Sequence, residues 1–189
     1  DAEALRDSLL MASGQLDLRM GGESFRPTII AEALEGLSRK SSAWKASSPE
    51  EQRRRSIYIF MKRHLLPPLM TTFDLCDTTL PNAQRDVTTV APQALALLND
   101  AFSHDQSTAL AKRIMSIAKS SSEHTALAWR FALGRATTSD EVRLGASHIN
   151  GQFTRVTAGI KQKSAAAVAW RVPDAPIPKR ALVFHVRAD

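Results

Sequence analysis

With 189 residues, of which 43% are hydrophobic and 23% charged, the chain is long enough for one domain with a packed core and is unlike disordered or fibrous proteins. Its longest apolar stretch, around residues 57–66, contains Arg63 and His64, which excludes a membrane span, and its single cysteine, Cys76, excludes an internal disulfide and a cysteine-rich zinc site. The net charge of +6 comes entirely from residues 39–63, and the rest of the chain is neutral.

The first predicted element is an amphipathic helix at the beginning of the chain. Its apolar residues recur at helical spacing: Ala2, Leu5, Leu9 and Ala12. Gly14 is suited to the left-handed conformation that ends many helices. Residues 14–27 have no sustained period and contain several glycines, which predicts an ordered loop.

The basic segment, residues 39–63, holds eight basic and two acidic residues. Proteins that bind nucleic acid usually interleave aromatic residues for base stacking, and only three aromatic residues lie here, so a nucleic-acid partner is disfavoured. A solvated or internally paired face is the favoured interpretation. We predict that four arginines form ion pairs with three aspartates: Arg54, Arg55, Arg63 and Arg85 with Asp74, Asp77 and Asp86.

Extended structure is predicted to be minor. Residues 55–61 are the best strand candidate, because β-branched and aromatic residues cluster there between charged flanks. Residues 87–90 and 181–186 are the other extended candidates. We therefore expect at most a small two- or three-stranded sheet.

After Ala91 the sequence is typical of four consecutive helices joined by short connectors. Pro92 opens the first, Gly134 ends the third, and a capping-box pattern from Thr138 to Glu141 opens the fourth. The residues expected to face the core are Ala94, Leu95, Leu97, Leu98, Leu110, Ile114, Ile117, Leu127, Phe131, Val142, Ala146, Ile149 and Phe153. The predicted fold class is mainly α, an antiparallel, bundle-like helical domain.

A candidate binding site precedes the first of these helices. A helix N-terminus offers free N–H groups and a partial positive charge, so threonine hydroxyls and a nearby arginine can receive an anion or a sugar hydroxyl. The same residues also have a structural interpretation, since threonine caps helices and arginine pairs with aspartate. The candidate ligand-binding residues are Arg85, Thr88, Thr89, Gln93, Asp74 and Asp77.

Patterns for metal binding and catalysis are weak. The five histidines are dispersed along the chain, so neither a metal nor a cofactor is expected. Two carboxylate pairs have the residue types of an acid–base pair in a glycoside hydrolase, although helix caps and ion pairs use the same residues. They are Asp74 with Asp77, and Asp100 with Asp105.

Several short motifs occur in register over residues 1–141. They include Asp1-Ala2-Glu3-Ala4-Leu5-Arg6-Asp7, Ser13-Gly14-Gln15-Leu16-Asp17, Met20-Gly21-Gly22, Arg54-Arg55-Ser56-Ile57-Tyr58, Thr88-Thr89-Val90-Ala91-Pro92-Gln93-Ala94-Leu95 and Leu133-Gly134-Arg135. In these motifs the chain resembles a planctomycete-specific domain of unknown function, which lies at the C-terminal end of large exported proteins behind planctomycete cytochrome c-like domains. The resemblance implies an extracytoplasmic parent protein and no particular activity.

The resemblance also implies a domain organisation. Because that family's domain begins before the Asp-Ala-Glu motif, we expect residues 1–160 to be a single helical domain that forms the C-terminal part of a larger one. Residues 161–189 are an alanine- and proline-containing tail that does not resemble the family's usual ending. We further expect either an exposed apolar groove beside the first helix, at Leu5, Leu9 and Leu10, or another chain that fills it, most simply the remainder of the same polypeptide.

Two functions remain open from the sequence. The favoured one is a non-catalytic helical module that packs against its parent domains or binds a carbohydrate or protein surface. The alternative is a hydrolase-type domain that acts on polysaccharide with carboxylates of the 73–86 region. A deep pocket in which Asp74 or Asp77 faces Arg85 would favour the hydrolase, and a flat surface with those residues paired would favour the module.

Overall fold

A computed structural model describes residues 1–29, 34, 44–63, 65–79 and 81–169 of the chain. In these residues the regular structure consists of six α-helices and two 3-10 turns. The helices are α1 (Ala2–Ser13), α2 (Pro68–Thr72), α3 (Ala91–Asn99), α4 (Ala101–Ile117), α5 (Ser121–Leu133) and α6 (Ser139–Ala169). The 3-10 turns are Glu51–Arg53 and Ser56–Tyr58. The predicted mainly α, packed-helix fold class is confirmed.

The chain divides into two compact units, residues 1–146 and 147–189. In the first unit α1 is central, since it contacts α2, α4, α5 and the second 3-10 turn. In the second unit the structure describes the remainder of α6 as far as Ala169. The domain boundary at residue 160 stays a prediction.

The buried face of α1 lies one residue away from the predicted one. Ala2, Arg6, Leu10 and Ser13 are buried, whereas Leu5 and Leu9 are partly buried. The sequence pattern missed this face because a buried arginine interrupts its apolar character. Leu10 is buried and neither Leu5 nor Leu9 is fully exposed, so the described part of the chain does not show the expected exposed groove at these three leucines, and a covering chain stays a prediction.

Among the described residues of the first unit, buried apolar side chains form two clusters, and Leu10 and Ile114 are buried outside them. The first cluster contains Ala2, Phe25, Ile59 and Met70, and the second contains Ile29, Trp44 and Leu65. Phe25 and Ile59 come from segments without helix or strand. The packing of α1 therefore depends on loops as well as helices.

The predicted strand at residues 55–61 is wrong. Ser56–Tyr58 forms a 3-10 turn, and within residues 55–61 the only bridge in the described structure is an isolated one between Ile59 and Phe25. The β-branched and aromatic residues cluster there because Ile59 enters the core, not because they pair along a ladder. Among the described residues no strand forms at residues 87–90 either, and residues 181–186 lie outside the described part of the chain.

Helix ends follow the predicted chemistry closely. Gly14 and Gly134 adopt the left-handed conformation after α1 and α5. At the start of α6, Thr138 N–H donates to Glu141 Oε2 at 2.9 Å, and Glu141 N–H donates to Thr138 Oγ1 at 3.3 Å. The predicted capping box is thus confirmed, because each residue satisfies a free backbone donor of the other.

The predicted burial of the later helices is correct only in part. Ile114 is buried, and Leu110, Leu127, Phe131, Val142 and Ala146 are partly buried. The predicted core residues that are exposed instead are Ala94, Leu95, Leu97, Leu98, Ile117, Ile149 and Phe153. Phe153 is 73% exposed because the described part of the second unit is a single helix and offers no other element against which its ring can pack.

Candidate functional site

Three of the predicted site residues meet at the entrance to α3. Thr88 donates its N–H to Asp74 Oδ2 and its hydroxyl to Asp74 Oδ1, both at 2.8 Å. Gln93 Nε2 then donates to Thr88 Oγ1 at 3.1 Å and to the carbonyl oxygen of Thr72 at 3.2 Å. Gln93 Oε1 accepts from the N–H of Val90 at 3.3 Å. This Asp74–Thr88–Gln93 network ties the chain before α3 to the end of α2.

The network leaves Asp74 poorly suited to acid catalysis. Its two bonds from Thr88, backbone first and hydroxyl second, hold the pKa of Asp74 below the usual value of an aspartate. A general acid needs a raised pKa so that it still carries its proton near neutral pH. Asp74 is instead ionised and occupied by its own chain.

The other predicted site residues, Arg85, Asp77 and Thr89, lie outside the Asp74–Thr88–Gln93 network. Arg85 forms a two-point ion pair with Glu3 of α1, with N···O distances of 2.7 and 2.9 Å. This pairing lowers the pKa of Glu3 and raises that of Arg85. Asp77 accepts from the N–H and hydroxyl of Thr79, at 2.8 and 2.6 Å, and Thr89 is exposed without a hydrogen bond to any described residue.

The predicted arginine–aspartate pairs are wrong. Arg54 approaches Glu51 at 3.4 Å, Arg55 approaches Asp7 at 3.9 Å, and Arg85 binds Glu3. Asp74 is bound by Thr88 and Asp77 by Thr79, whereas the partners of the arginines are carboxylates of α1 and of the first 3-10 turn. Arg63 is exposed and has no ion pair with a described residue.

A buried arginine, which the sequence did not single out, organises the centre of the first unit. Arg6 is 5% exposed and donates to the carbonyl oxygens of Arg54 and Gln52 and to Ser56 Oγ. Its guanidinium lies between the rings of Phe25 and Phe102, at 5.2 and 5.1 Å from their centres. Burial lowers the pKa of Arg6 to about 10, an effect that the nearby Asp7 carboxylate partly offsets.

A second buried arginine, Arg54, holds the glycine-containing loop. It donates to the carbonyl oxygens of Gly21 and Glu23, and its Cζ lies 4.1 Å from the centre of the Tyr58 ring. Tyr58 Oη in turn accepts from the N–H of Gly21 at 2.7 Å. We call these contacts, together with those of Arg6, the arginine centre. The sequence offered one signal for the burial of Arg6, which is that Arg6 lies four residues from both Ala2 and Leu10 and so shares their face of α1.

Chemistry based on bound metal finds no support in the described part of the chain. Among those residues, no three His, Cys, Asp or Glu side chains form a group that could hold a metal ion. None of the described helices combines the length and apolar character needed to cross a membrane.

Comparison with known proteins identifies the domain. Residues 1–149 match the model of a family described as PSD1, a protein of unknown function (DUF1553). The chain belongs to the PSD1 family. PSD1 domains are typically found in planctomycete cytochrome-c-associated proteins, so the resemblance expected from the motifs is confirmed. No curated protein and no solved structure matches the chain.

The motifs that carried the resemblance have a structural role in this PSD1 domain. Met20-Gly21-Gly22 and Arg54-Arg55-Ser56-Ile57-Tyr58 meet at the arginine centre. Ser56 donates its N–H and hydroxyl to Asp7 Oδ1 at 2.8 and 2.6 Å, which joins the first motif to them. Three motifs separated in sequence thus build one hydrogen-bonded unit.

Proposed function

We propose that this PSD1 domain is a non-catalytic helical module that packs against other domains of a larger, exported parent protein. The observation that carries the proposal is an exposed apolar segment at and before α3, which we call the 87–98 segment. Its large exposed side chains are Val87, Val90, Leu95, Leu97 and Leu98, of which Val87 is 88% and Leu98 67% exposed. Single exposed apolar residues are ordinary, and five within twelve positions support the proposal of an interaction surface here.

The hydrogen bonds beneath this segment support the same proposal. The Asp74–Thr88–Gln93 network fixes the backbone between Val87 and α3, and Gln93 is the residue of α3 that is buried. The polar side of the helix therefore faces inward and its leucines face outward. Residues predicted as a ligand site act as the support of an apolar surface.

A partner within the same polypeptide is favoured because a PSD1 domain is typically part of a larger protein. Domains joined in one chain need only a modest interface, since linkage gives them a high effective concentration. The hydrolase alternative has less support, because Asp74 is held by Thr88 and Arg85 by Glu3.

Hydrogen–deuterium exchange tests the proposal. The backbone amides of α3 should exchange more slowly in the full-length parent protein than in the isolated 189-residue chain, because neighbouring domains cover the 87–98 segment. A Leu95→Ser/Leu98→Ser double variant should remove much of this protection in the parent protein. In the isolated chain it should lower the free energy of unfolding by about 1 kcal/mol or less, mainly through helix propensity.

Leu144→Ser is the matched control, because Leu144 is also a helical leucine with an exposed side chain. This variant should leave the exchange of α3 unchanged in both proteins. Equal exchange of α3 in the isolated chain and in the parent protein would contradict the proposal.

A further inference from the structure

A cleft opens beside the buried Arg6, where α2 and the first turns of α4 approach residues 27–28. It has a volume of about 250 Å³ and is lined by residues of the first unit. A neighbouring hollow of about 380 Å³ shares four lining residues with it: Thr28, Gln52, Phe102 and Asp105. Cavities of roughly 300–1,000 Å³ are the usual size of small-ligand sites, so the two together are large enough for one.

The walls of the cleft are apolar and stiff. Pro27, Pro67, Leu69 and Phe102 line it, and the proline rings fix their own backbone angles. The ring of Phe102 is further held by the guanidinium of Arg6. Little conformational entropy is therefore lost when a ligand with an apolar face enters.

Polar groups with unused hydrogen-bonding capacity line the cleft and the neighbouring hollow: Arg6 lines the cleft, Gln106 the hollow, and Asp105 both. Gln106 is 7% exposed; its Oε1 accepts from Ser13 Oγ at 2.8 Å, but its Nε2 donates to no described residue. Arg6 has five N–H donors and uses three of them on protein oxygens. Asp105 is exposed, and its carboxylate has neither a hydrogen bond nor an ion pair with any described residue. The cleft and the hollow together thus offer two buried side chains with unused donors and one exposed carboxylate as an acceptor.

The charges that line the cleft and the hollow together disfavour a strongly charged ligand. Arg6 and Arg53 are opposed by Asp100 and Asp105, so the formal charges cancel. A cation or an anion would bind one group and meet a like charge close by. A neutral ligand with hydroxyl groups avoids this conflict, because each hydroxyl both donates and accepts.

We propose that this cleft, together with the neighbouring hollow, binds a neutral sugar residue of an oligosaccharide. A sugar ring has C–H faces that fit the proline, leucine and phenylalanine walls. Its hydroxyls can donate to Asp105 and accept from Gln106 and Arg6. The site is separate from the 87–98 segment, so the proposal does not depend on domain packing.

Binding of neutral disaccharides tests the proposal directly. Cellobiose, xylobiose, mannobiose and N,N′-diacetylchitobiose are the probes, titrated into the 189-residue chain and followed by saturation-transfer NMR and calorimetry. At least one should bind. Glucuronic acid and glucosamine, as charged probes, should bind more weakly than the matching neutral sugar.

An Asp105→Asn variant locates the binding. It keeps the shape of an exposed side chain but removes the charged acceptor, so affinity for the neutral probe should fall by about tenfold or more. Asp140→Asn, which changes an exposed aspartate outside the cleft, is the matched control and should bind as the native chain does. Thermal unfolding of both variants checks that the fold is kept.

Three results would overturn the proposal: no binding by any neutral probe, binding that Asp105→Asn leaves unchanged, or a preference for glucosamine or for an arginine-containing peptide. The Leu95→Ser/Leu98→Ser variant separates this proposal from the one on domain packing. It should bind the sugar normally whether or not the 87–98 segment packs against another domain.

Discussion

The arginine centre and the 87–98 segment reverse the usual distribution of polar and apolar residues. In the first, two charged side chains, Arg6 and Arg54, are buried. In the second, five large apolar side chains are exposed. Charged residues are seldom buried without partners, and apolar residues are seldom exposed in groups. The difference separates residues that hold the fold from residues that are available to a partner.

The two regions also differ in what gives them their shape. The described loops around the arginine centre contain two short 3-10 turns and isolated bridges but no longer helix or strand, and the guanidinium groups bind several of their carbonyl oxygens. The helix α3 satisfies its backbone internally and needs only Gln93 and Thr88 to orient it. Removal of an arginine side chain should therefore unfold the loops of the arginine centre. Removal of an exposed apolar side chain should leave the backbone of the 87–98 segment unchanged.

The largest effect is expected for Arg6→Ala. This change leaves the carbonyl oxygens of Arg54 and Gln52 without their donor and opens a cavity between Phe25 and Phe102. Loss of one partner from a buried charged network typically costs about 3–5 kcal/mol. Urea titration at neutral pH should show a decrease of that size in the free energy of unfolding.

Arg143→Ala is the control for this comparison. Arg143 is 83% exposed in its pair with Asp140, and exposed ion pairs contribute about 0–1 kcal/mol. If Arg6→Ala were no more destabilising than this control, the arginine centre would not be what holds the loops.

Smaller effects are expected at two glycines of α6, and these two effects should be opposite in sign. A Cβ at Gly145 would lie 2.4 Å from Thr125 Cγ2, so Gly145→Ala forces α5 and α6 apart and should cost about 1–3 kcal/mol. A Cβ at Gly151 would have no neighbour within 4 Å. Gly151→Ala should therefore stabilise the helix by about 0.5–1 kcal/mol.

Chemical denaturation of both glycine variants measures how the free energy of unfolding depends on the surroundings of each glycine, which is in contact with Thr125 at Gly145 and open at Gly151. A decrease in the free energy of unfolding for Gly145→Ala with an increase for Gly151→Ala would extend the contrast between buried and exposed regions to a single helix. An increase for both variants would show that the contact with Thr125 is loose.

Helix boundaries were the part of the fold that the sequence predicted well, because they depend on neighbouring residues. Gly14 and Gly134 end their helices through their own backbone freedom, and Thr138 and Glu141 are three residues apart. Such interactions are complete within one turn of helix. Nothing distant is needed to form them.

Burial was predicted less well, because it depends on residues far apart in the sequence. The partners of Arg6 lie 46 to 50 positions away, and no local pattern indicates that a guanidinium will be enclosed by two aromatic rings. The strand predicted at residues 55–61 failed for the same reason. Its apolar residues are explained by contact with Phe25 and α1 rather than by pairing with another strand.

The candidate site was predicted in part. Asp74, Thr88 and Gln93 lie within twenty residues of one another and do come together. Arg85 finds its partner Glu3 at a distance of 82 positions, which spacing alone could not indicate. The proposed sugar cleft combines residues from five separate segments, so only the folded chain brings its donors and acceptor together.

The smallest effect is expected at the Arg135–Glu141 ion pair at the start of α6, which is far more exposed to solvent than the contacts of Arg6. Bonds from Arg135 first, and from Thr138 N–H second, lower the pKa of Glu141 from 4.5 to about 2. Because the pKa is lower in the folded state, the stabilisation is full above pH 4.5 and is lost as the pH falls towards 2. Solvent screens such a contact, so its contribution is small.

Glu141→Gln should therefore flatten the dependence of stability on pH between about 4.5 and about 2, without abolishing it, since Glu3, Asp74 and Glu123 also have lowered pKa values. Thermal unfolding measured at a series of pH values checks this. Arg135→Gln removes the main cause of the lowered pKa and should flatten the same part of the profile. If neither variant changes the slope of stability against pH, the Arg135–Glu141 pair does not persist in solution. The exposed polar contact at the start of α6 would then contribute nothing to stability, in contrast to the buried contacts of Arg6.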